Sequence, residues 1–253
     1  NKELYKIFQT YFKIFPKSYL NKNNVGFDAG CGTGRWTKFL LPLVKGIDCI
    51  DPSLKALNVA KNNLKNFDNV NFYNETIDSY FSKNKTKKYD FGFSLGVLHH
   101  IPNIDMALKS INDKLKNGSP LLLYLYYNFE NRGIFFKLIW NISNFLRLII
   151  SRLPYKIKSI ICDILALIVY LPLAKLNKLL NYFNIKINLP LKFYMNKSFY
   201  TMRTDSLDRF GTKLENRFSK KKIVSILNNS NFDKISFLIS EPFWTVICYK
   251  KND

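Results

Sequence analysis

The chain has 253 residues, of which 47% are hydrophobic and 16% are aromatic, so wholesale disorder is excluded and a sizeable core is expected. Its length indicates one large domain or one domain that carries an insertion. Four cysteines without C-x-x-C spacing and two histidines argue against a disulfide scaffold and against a metal centre. We therefore expect a reducing, cytoplasmic setting and no bound metal.

The formal charge of +21 arises from 39 Lys and Arg residues against 18 Asp and Glu residues. It fits nucleic acid or an anionic membrane surface as a partner, but an A/T-rich genome would also place lysine at neutral surface positions, whatever the function. The charge alone does not decide between these explanations. No signal peptide is apparent. The most hydrophobic stretch, 160–174, contains Asp163 and Pro172 and is shorter than the ~20 residues of a membrane span. We therefore expect no transmembrane helix.

Two apolar patterns alternate along the first half of the chain, one at helical spacing and one in short runs. Helices are predicted over 2–15, 33–41, 52–64, 77–81 and 104–115. Strands are predicted over 25–29, 47–50, 70–73, 89–95 and 120–127. This alternation predicts an α/β fold with a doubly wound, mostly parallel sheet.

The alternation stops after residue 132. Residues 134–194 are rich in Leu and Ile at helix-like spacing and carry a net charge of +8, so we expect an inserted helical cap or lid. The predicted core then comprises 1–133 and 195–253. It closes with a helix over 219–227 and strands over 234–239 and 243–249. Because only three residues join these two strands, they must run antiparallel as a final hairpin.

The strongest motif is the sequence GFDAGCGTG at 26–34, in which glycines follow a strand and precede a helix. Glycine lets the backbone turn sharply and lie against a ligand without a Cβ in the way. The spacing differs from the dinucleotide motif G-x-G-x-x-G, because Arg35 holds the place of the third glycine. Asp28 precedes the glycines and disfavours a phosphate at this turn. The turn therefore favours an amino-acid-bearing cofactor with a cationic amine over NAD.

Acidic residues also follow the next two strands. Asp51 ends the second strand, where a carboxylate can accept both ribose hydroxyls of a nucleoside. Asp51 can also cap the helix that follows it. Glu75 and Thr76 follow the third strand, where an adenine edge would lie. Ile77 is available to pack against the adenine, although Asp78 is close enough to compete for the polar role.

Three motifs together resemble those of the class I S-adenosylmethionine (SAM)-dependent methyltransferases: DAGCGTG at 28–34, IDPS at 50–53 and YDFGFSLGVLHHIPN at 89–103. The third is similar to the fourth-strand motif of the small-molecule subgroup, the methyltransferase domain 11 and 25 types. The resemblance covers about residues 20–130. It implies SAM as the cofactor and a seven-stranded Rossmann-like sheet whose final hairpin is antiparallel.

The resemblance also implies roles for the residues that match the family's motifs. Asp28 would meet the methionine amine through its loop, and Leu95 would meet the same amine through its carbonyl. Asp51 would hold the ribose. The other cofactor-binding residues would be two glycines beside the methionine moiety and the adenine-binding segment, namely Gly30, Gly32, Glu75, Thr76 and Ile77.

The chain's two histidines, His99 and His100, lie in the fourth-strand motif at the expected mouth of the site. An oxygen or thiol acceptor must lose a proton on methylation, so one of them is a candidate general base or substrate-orienting residue. The alternative is a packing or capping role at the start of the next helix. Candidate substrate-binding residues, each also open to a structural role, are Tyr11, Tyr124, Arg132, Tyr200 and Arg203.

Relatives that methylate nucleic-acid bases carry Asn/Asp-Pro-Pro-Tyr/Phe at the end of the fourth strand, whereas this chain has SLGV at 94–97. We therefore expect a small-molecule acceptor and no nucleic-acid partner. One alternative is methylation of a membrane lipid or lipid-linked glycan, with the basic cap in peripheral contact with the membrane. The other is a non-catalytic RNA-binding module. The cap's basic residues do not share one helical face, and its apolar surface can equally serve as a dimer face.

Overall fold

The computed structural model describes residues 2–84, 86–130, 133–185, 187, 189–240 and 243–252. It divides the chain into two compact units. Unit 1 comprises Asn1–Asn128 and Asn216–Asp253, and unit 2 comprises Phe129–Glu215.

Unit 1 is built on one seven-stranded sheet. The strands are β1 (Val25–Ala29), β2 (Gly46–Ile50), β3 (Val70–Tyr73), β4 (Phe91–Leu95), β5 (Pro120–Tyr126), β6 (Phe232–Ser240) and β7 (Phe243–Lys250). Their order across the sheet is β3-β2-β1-β4-β5-β7-β6. The first five strands pair in parallel, whereas β7 runs antiparallel to both β5 and β6. The predicted doubly wound α/β fold with an antiparallel final hairpin is confirmed.

Helices connect these strands and form unit 2. They are α1 (Lys2–Tyr11), α2 (Thr37–Leu40), α3 (Leu54–Asn63), α4 (Ile77–Lys83), α5 (Ile104–Lys114), α6 (Ile134–Ile150), α7 (Tyr155–Leu165), α8 (Leu171–Tyr182), α9 (Phe199–Gly211) and α10 (Lys220–Asn229). The side chains of Ser53, Thr76, Asn103 and Ser219 accept backbone N–H groups at the starts of α3, α4, α5 and α10. Each such cap stabilises its helix by about 1 kcal/mol.

The helix predicted over 33–41 is much shorter, because α2 begins only at Thr37. Gly34 still has a left-handed backbone with φ of 73°, which no helix of L-residues continues through. A Cβ at Gly34 would press against Leu64 at the end of α3. The glycine loop is therefore longer than the sequence pattern indicates.

A buried aspartate in the middle of β2 fastens the sheet to α4. The Asp48 carboxylate accepts hydrogen bonds from the hydroxyls of Tyr80 and Tyr89, from the Asn71 amide and from the Lys87 ammonium. Burial would raise the pKa of Asp48, but the hydrogen bonds from Lys87, Tyr89, Asn71 and Tyr80 hold it below its ordinary value. A carboxylate that is fully paired in this way stays ionised in the folded protein.

In unit 2, a π-helical turn at Ala166–Tyr170 joins α7 and α8 into one helix, Tyr155–Tyr182. Pro172 follows this turn. Proline has no N–H, and its ring collides with the carbonyl of the residue four positions earlier in a regular helix, so a widened turn accommodates it. By length and composition the joined helix of 28 residues is able to cross a membrane. The helix is longer than the stretch 160–174 considered in the sequence, and the expectation that the chain does not cross a membrane stays a prediction.

Unit 2 extends beyond the predicted cap boundary at 194, because α9 packs against α7. The hydroxyl of Ser206 in α9 donates to the carbonyl of Cys162 in α7 at 2.9 Å. Arg203 of α9 forms a two-pronged ion pair with Asp163 of α7, at 2.7 and 2.6 Å. These contacts hold the segment up to Glu215 within unit 2.

Candidate active site

The glycine loop lies at the carboxyl end of β1 and is fastened to β2. The backbone N–H groups of Gly30 and Cys31 both donate to the carbonyl of Ile50, at 2.7 and 3.2 Å. Gly30 and Gly32 have φ values of 84° and 53°, a left-handed backbone that favours glycine. A Cβ at Gly30 would collide with Val97, whereas a Cβ at Gly32 would meet no atom within 4 Å. Gly32 therefore borders open space, whereas Gly30 packs closely against Val97.

Asp51 holds this loop from the end of β2. Its Oδ2 accepts the N–H of Gly32 at 2.8 Å, and its Oδ1 accepts the N–H of Ser53 at 2.8 Å. The residue that caps α3 is Ser53, whose hydroxyl accepts the N–H of Ala56. The alternative in which Asp51 caps this helix is therefore wrong. One carboxylate thus connects the two strand ends where a nucleoside cofactor is expected.

Asp28, the acidic residue before the glycines, is fully buried in β1. Its Oδ2 accepts a hydrogen bond from the hydroxyl of Thr37 at 2.5 Å. Burial raises the pKa of Asp28 to about 7, and the negative charge of Asp51 adds to this effect, while Thr37 and Arg35 oppose it. The carboxyl group is therefore poised to titrate near neutrality, beneath the glycine loop.

The segment predicted to bind adenine follows β3. Glu75 accepts hydrogen bonds from the hydroxyl of Ser79 at 2.7 Å and from the ammonium of Lys83 at 2.9 Å. The hydrogen bond from Lys83 lowers the pKa of Glu75. Thr76 caps α4 and Ile77 is buried. Glu75 therefore remains ionised, and the apolar residue of this segment, Ile77, lies two positions further along the chain.

The end of β4 turns sharply at Gly96, whose φ is 84°. Ser94 ties β4 to β1, since its hydroxyl donates to the carbonyl of Ala29 at 2.7 Å. The N–H of Gly96 donates to the carbonyl of Tyr124 at 3.2 Å, which ties the same turn to β5. Leu95, predicted to meet the cofactor amine, thus ends a strand fixed on both sides.

His99 is fully buried in a short 3₁₀ turn at Leu98–His100. Its ring stacks on Tyr126 with 3.8 Å between centroids, and it also lies 4.1 Å from the ring of His100. Among the described residues neither ring nitrogen of His99 has a hydrogen-bond partner. Burial lowers the pKa of His99 well below its ordinary value, helped by the positive charges of His100 and Arg217. His99 is therefore a neutral imidazole with free acceptor capacity.

An aromatic cluster covers the same edge of the sheet. Tyr11 of α1 lies 5.4 Å from Trp36 and 4.9 Å from Tyr124, between ring centroids. Sequence reasoning named Tyr11 and Tyr124 but missed Trp36, although Trp36 follows the glycine loop by two residues. It also missed Arg217, whose guanidinium lies 5.0 Å from the ring of Tyr126. Stacking partners from distant parts of the chain leave no local sequence signal.

The remaining predicted substrate residues belong to unit 2 or lie outside the described residues. Tyr200 and Arg203 belong to α9 of unit 2, where Tyr200 is exposed and Arg203 is paired with Asp163. The sequence named Arg203 as a candidate substrate-binding residue but did not reveal this ion pair with Asp163. Arg132 lies outside the described residues.

The mostly parallel sheet of order 3-2-1-4-5-7-6, with its candidate site at the carboxyl ends of β1, β2 and β4, is the fold of the class I SAM-dependent methyltransferases. Residues 27–121 match the family model of a methyltransferase domain. The chain thus has the class I fold, and this part of it is similar to a methyltransferase domain. The resemblance inferred from the three motifs is confirmed at this level.

Solved methyltransferase structures match nearly the whole chain at low sequence identity. Human N-acetylserotonin methyltransferase in complex with SAM is 14% identical with a TM-score of 0.54, over 97% of this chain and 52% of its own. Magnesium protoporphyrin IX methyltransferase from Synechocystis, with bound S-adenosylhomocysteine, is 12% identical with a TM-score of 0.54, over 99% and 83%. A SAM-dependent methyltransferase from Methanosarcina mazei is 14% identical with a TM-score of 0.54, over 95% and 99%. No curated protein sequence matches the chain.

Proposed function

We propose that this chain transfers a methyl group from SAM to an oxygen, nitrogen or sulfur atom of a small-molecule acceptor. The observation that carries the proposal is the connection of the glycine loop to Asp51 across the ends of β1 and β2. When bound, SAM supplies a methyl group that is already electrophilic, so transfer is an in-line displacement. Positioning alone then contributes on the order of 7–11 kcal/mol, and the protein's main task is to orient the two reactants.

The residues present fit this cofactor. Asp51 uses one hydrogen bond on each oxygen, and a carboxylate has about four acceptor positions, so it retains capacity for ribose hydroxyls. Gly32 borders open space beside it. Asp28, whose pKa is about 7, would supply negative charge beneath the loop when it is ionised, and a cationic amine of the methionine moiety would favour that ionised form. Residues 75–77 would line the adenine, and Gly30 and the carbonyl of Leu95 would border the methionine moiety.

The acceptor side is built from aromatic rings and one neutral histidine. Tyr11, Trp36 and Tyr124 are buried in the core of unit 1, and their rings would favour both an apolar acceptor and a sulfonium cation beside them. The neutral ring of His99 has one acceptor nitrogen without a hydrogen-bond partner among the described residues, and its pKa is lowered. It would therefore remain able to take a proton from an oxygen or thiol acceptor throughout the neutral range. His100, beside it, would help to orient the acceptor.

Transfer of labelled methyl from SAM into a host-cell extract tests the proposal. The extract is separated into aqueous and organic phases after incubation, and Asp51→Ala serves as the inactive control. Label in small aqueous products, absent with Asp51→Ala, is the expected result. Purified protein that binds neither SAM nor S-adenosylhomocysteine, in a calorimetric titration, would contradict it.

A second candidate acceptor is a membrane lipid or a lipid-linked glycan. It is favoured by the large apolar side chains that unit 2 exposes along α6 and the Tyr155–Tyr182 helix. Label that enters the organic phase and migrates with polar lipids would support this acceptor. The cytoplasmic location of the reaction stays a prediction.

A further inference from the structure

Exposed apolar side chains are concentrated in unit 2. Among the described residues of unit 1, the exposed large apolar side chains are those of Tyr5, Leu43, Leu54, Val59 and Met106. All the others belong to unit 2, although it holds only about a third of the chain. Single exposed apolar residues are ordinary, but a continuous apolar surface marks a site of protein or membrane contact.

One face of α6 forms the first part of this surface. Its exposed apolar side chains lie at helical spacing and are those of Ile134, Phe135, Leu138, Ile139, Ile142, Phe145, Leu146, Leu148 and Ile149. On the other side of the helix Arg147 and Ile150 are buried, and Arg147 donates to the carbonyls of Thr212 and Lys213 within unit 2. The other charged residue of α6, Lys137, is exposed beside the apolar face.

The Tyr155–Tyr182 helix forms the second part. Its buried side chains are those of Cys162, Ala166, Tyr170, Ala174 and Asn177. Its exposed strip is apolar, with Ile157, Ile160, Ile164, Leu167, Ile168, Leu176 and Leu179. Most of the large apolar side chains of this helix are therefore exposed, although Ile161, Leu165 and Leu171 pack against the core of unit 2.

Charge is placed at the two ends of that helix. Lys156 lies near its start, and Lys175 and Lys178 lie near its end. The ammonium of Lys158 instead donates to the carbonyls of Ser151 and Gly211 within unit 2. Between Lys158 and Lys175 the only charged residue is Asp163, which Arg203 neutralises. Lysines that flank an apolar helical face extend their ammonium groups to lipid headgroups while the face enters the acyl region.

We propose that unit 2 inserts the exposed apolar faces of α6 and the Tyr155–Tyr182 helix into the surface of an anionic phospholipid bilayer. An anionic bilayer offers hydrocarbon to the apolar side chains and negative charge to the lysines. A second copy of the chain offers no such charge complement, because the segment 134–194 carries a net charge of +8. The inference goes beyond the proposed function, since membrane binding requires no methyl transfer.

The helix lies in the plane of the bilayer in this arrangement. Its uncharged apolar stretch between Lys158 and Lys175, at 1.5 Å per residue, is about 24 Å long, whereas the hydrocarbon core is about 30 Å thick. Its other side packs on α9, which carries Arg203, Asp205 and Arg209. One apolar side and one polar side suit an interfacial position better than a span.

Flotation of the full chain with vesicles, carried out in the absence of SAM, tests the proposal. Vesicles of phosphatidylcholine with 30% phosphatidylglycerol are compared with vesicles of phosphatidylcholine alone. We expect flotation with the anionic vesicles, at least about tenfold tighter than with the neutral ones, since each lysine near an anionic surface contributes about fivefold. Absence of flotation with anionic vesicles would overturn the proposal and would leave the methyl-transfer proposal untouched.

The apolar contact is tested with Leu138→Ser, Ile142→Ser and Phe145→Ser combined, whose side chains are 55%, 58% and 65% exposed. The matched control combines Leu54→Ser, Val59→Ser and Met106→Ser in unit 1, at 56%, 46% and 57% exposure. The affinity of the α6 variant for the vesicles should fall by at least about tenfold, because each serine buries less apolar surface in the bilayer than the side chain it replaces. An equal loss in the control would overturn the assignment to unit 2.

The electrostatic contact is tested with Lys156→Gln, Lys175→Gln and Lys178→Gln combined, against Lys55→Gln, Lys61→Gln and Lys65→Gln in unit 1. The first set should weaken binding to anionic vesicles by about 100-fold, at about fivefold for each lysine. The second set should change it little. If light scattering instead shows dimers that the α6 serine variant dissociates, and vesicles bind no chain, the face belongs to a second copy and the proposal fails.

The in-plane arrangement is tested with a fluorophore attached at Phe145→Cys, since the four native cysteines are buried. Its emission should shift to the blue with anionic vesicles. Brominated lipids should quench it more strongly when the bromines lie near the headgroups than when they lie near the bilayer centre. The reverse order of quenching would contradict the in-plane arrangement.

Discussion

The carboxylate of Asp51 and the backbone N–H of Gly32 are joined by a hydrogen bond of 2.8 Å, although 19 residues separate them. The bond connects the ends of β1 and β2 and fixes the one glycine of the loop that borders open space. Asp51 therefore has two tasks: it orders the loop and keeps acceptor capacity at the edge of the site.

Replacing Asp51 by alanine should weaken binding of S-adenosylhomocysteine by about 10- to 100-fold, because a hydrogen bond to a charged group contributes about 1.5–3 kcal/mol. Isothermal titration calorimetry measures the change. Asp68→Ala, an exposed aspartate of the same unit, is the control and should bind as the wild type does. Equal affinities for Asp51→Ala and the wild type would contradict the ribose-binding role.

The collision expected between a Cβ at Gly30 and Val97 gives a second prediction. Gly32→Ala should cost about 1 kcal/mol, because it strains only a left-handed backbone. Gly30→Ala should cost about 3 kcal/mol, because the same strain is combined with overpacking. Urea denaturation of both variants measures these free energies of unfolding.

Val97→Ala provides the matching test, because it removes the methyl groups that an alanine at position 30 would meet. The double variant Gly30→Ala with Val97→Ala should recover about 1–2 kcal/mol relative to the sum of the two single changes, a coupling typical of touching residues. Strict additivity of the two changes would show that Gly30 is required by its backbone conformation alone.

Asp28 should make the stability of the protein depend on pH in an unusual direction. Its pKa is about 7 in the folded protein against an ordinary value of 3.8. Between these values the folded form holds a proton that the unfolded form has lost, so the free energy of unfolding falls as the pH rises. The difference between the two pKa values corresponds to about 4 kcal/mol at most.

Asp28→Asn should remove this decline, and the variant should be more stable than the wild type at pH 8. Asp48→Asn is the contrast, because the pKa of Asp48 is lowered. The ionised Asp48 stabilises the folded protein at pH values above its unfolded pKa near 3.8, and this stabilisation is lost as the pH falls further. Asp48→Asn should therefore lower the free energy of unfolding by about 3 kcal/mol throughout the neutral range. Thermal unfolding between pH 4 and 8 measures both, and parallel pH profiles for wild type and Asp28→Asn would contradict the assignment.

The alternation of strands and helices, the antiparallel hairpin and the positions of Asp51 and the glycines were predictable from sequence, because each depends on a local signal: alternating apolar patterns, a short link, or glycine next to an acid. The outward face of the Tyr155–Tyr182 helix was not. A helical periodicity shows that two faces differ but not which face meets α9. The buried face contains the small residues Cys162 and Ala166, so in the sequence it does not look like the face that packs against the core. The stacking of His99 on Tyr126 was equally inaccessible, since the two lie on separate elements.

His99 gives the last prediction, on the chemistry of transfer. If it takes the acceptor's proton, His99→Asn should lower kcat by about 100-fold or more and leave the affinity for S-adenosylhomocysteine unchanged. The wild-type rate should stay level as the pH falls from 8 through 6.5, because the pKa of His99 lies well below its ordinary value and the ring stays neutral.

His100→Asn is the matched control, since the neighbouring ring is only partly buried; it should reduce kcat less and leave the flat pH profile in place. An unchanged kcat in His99→Asn, together with a lower melting temperature, would make His99 a packing residue of the His99–Tyr126 stack. A kcat that falls steeply on acidification towards pH 6.5 would also contradict the assignment, because a base with so low a pKa is not protonated in that range.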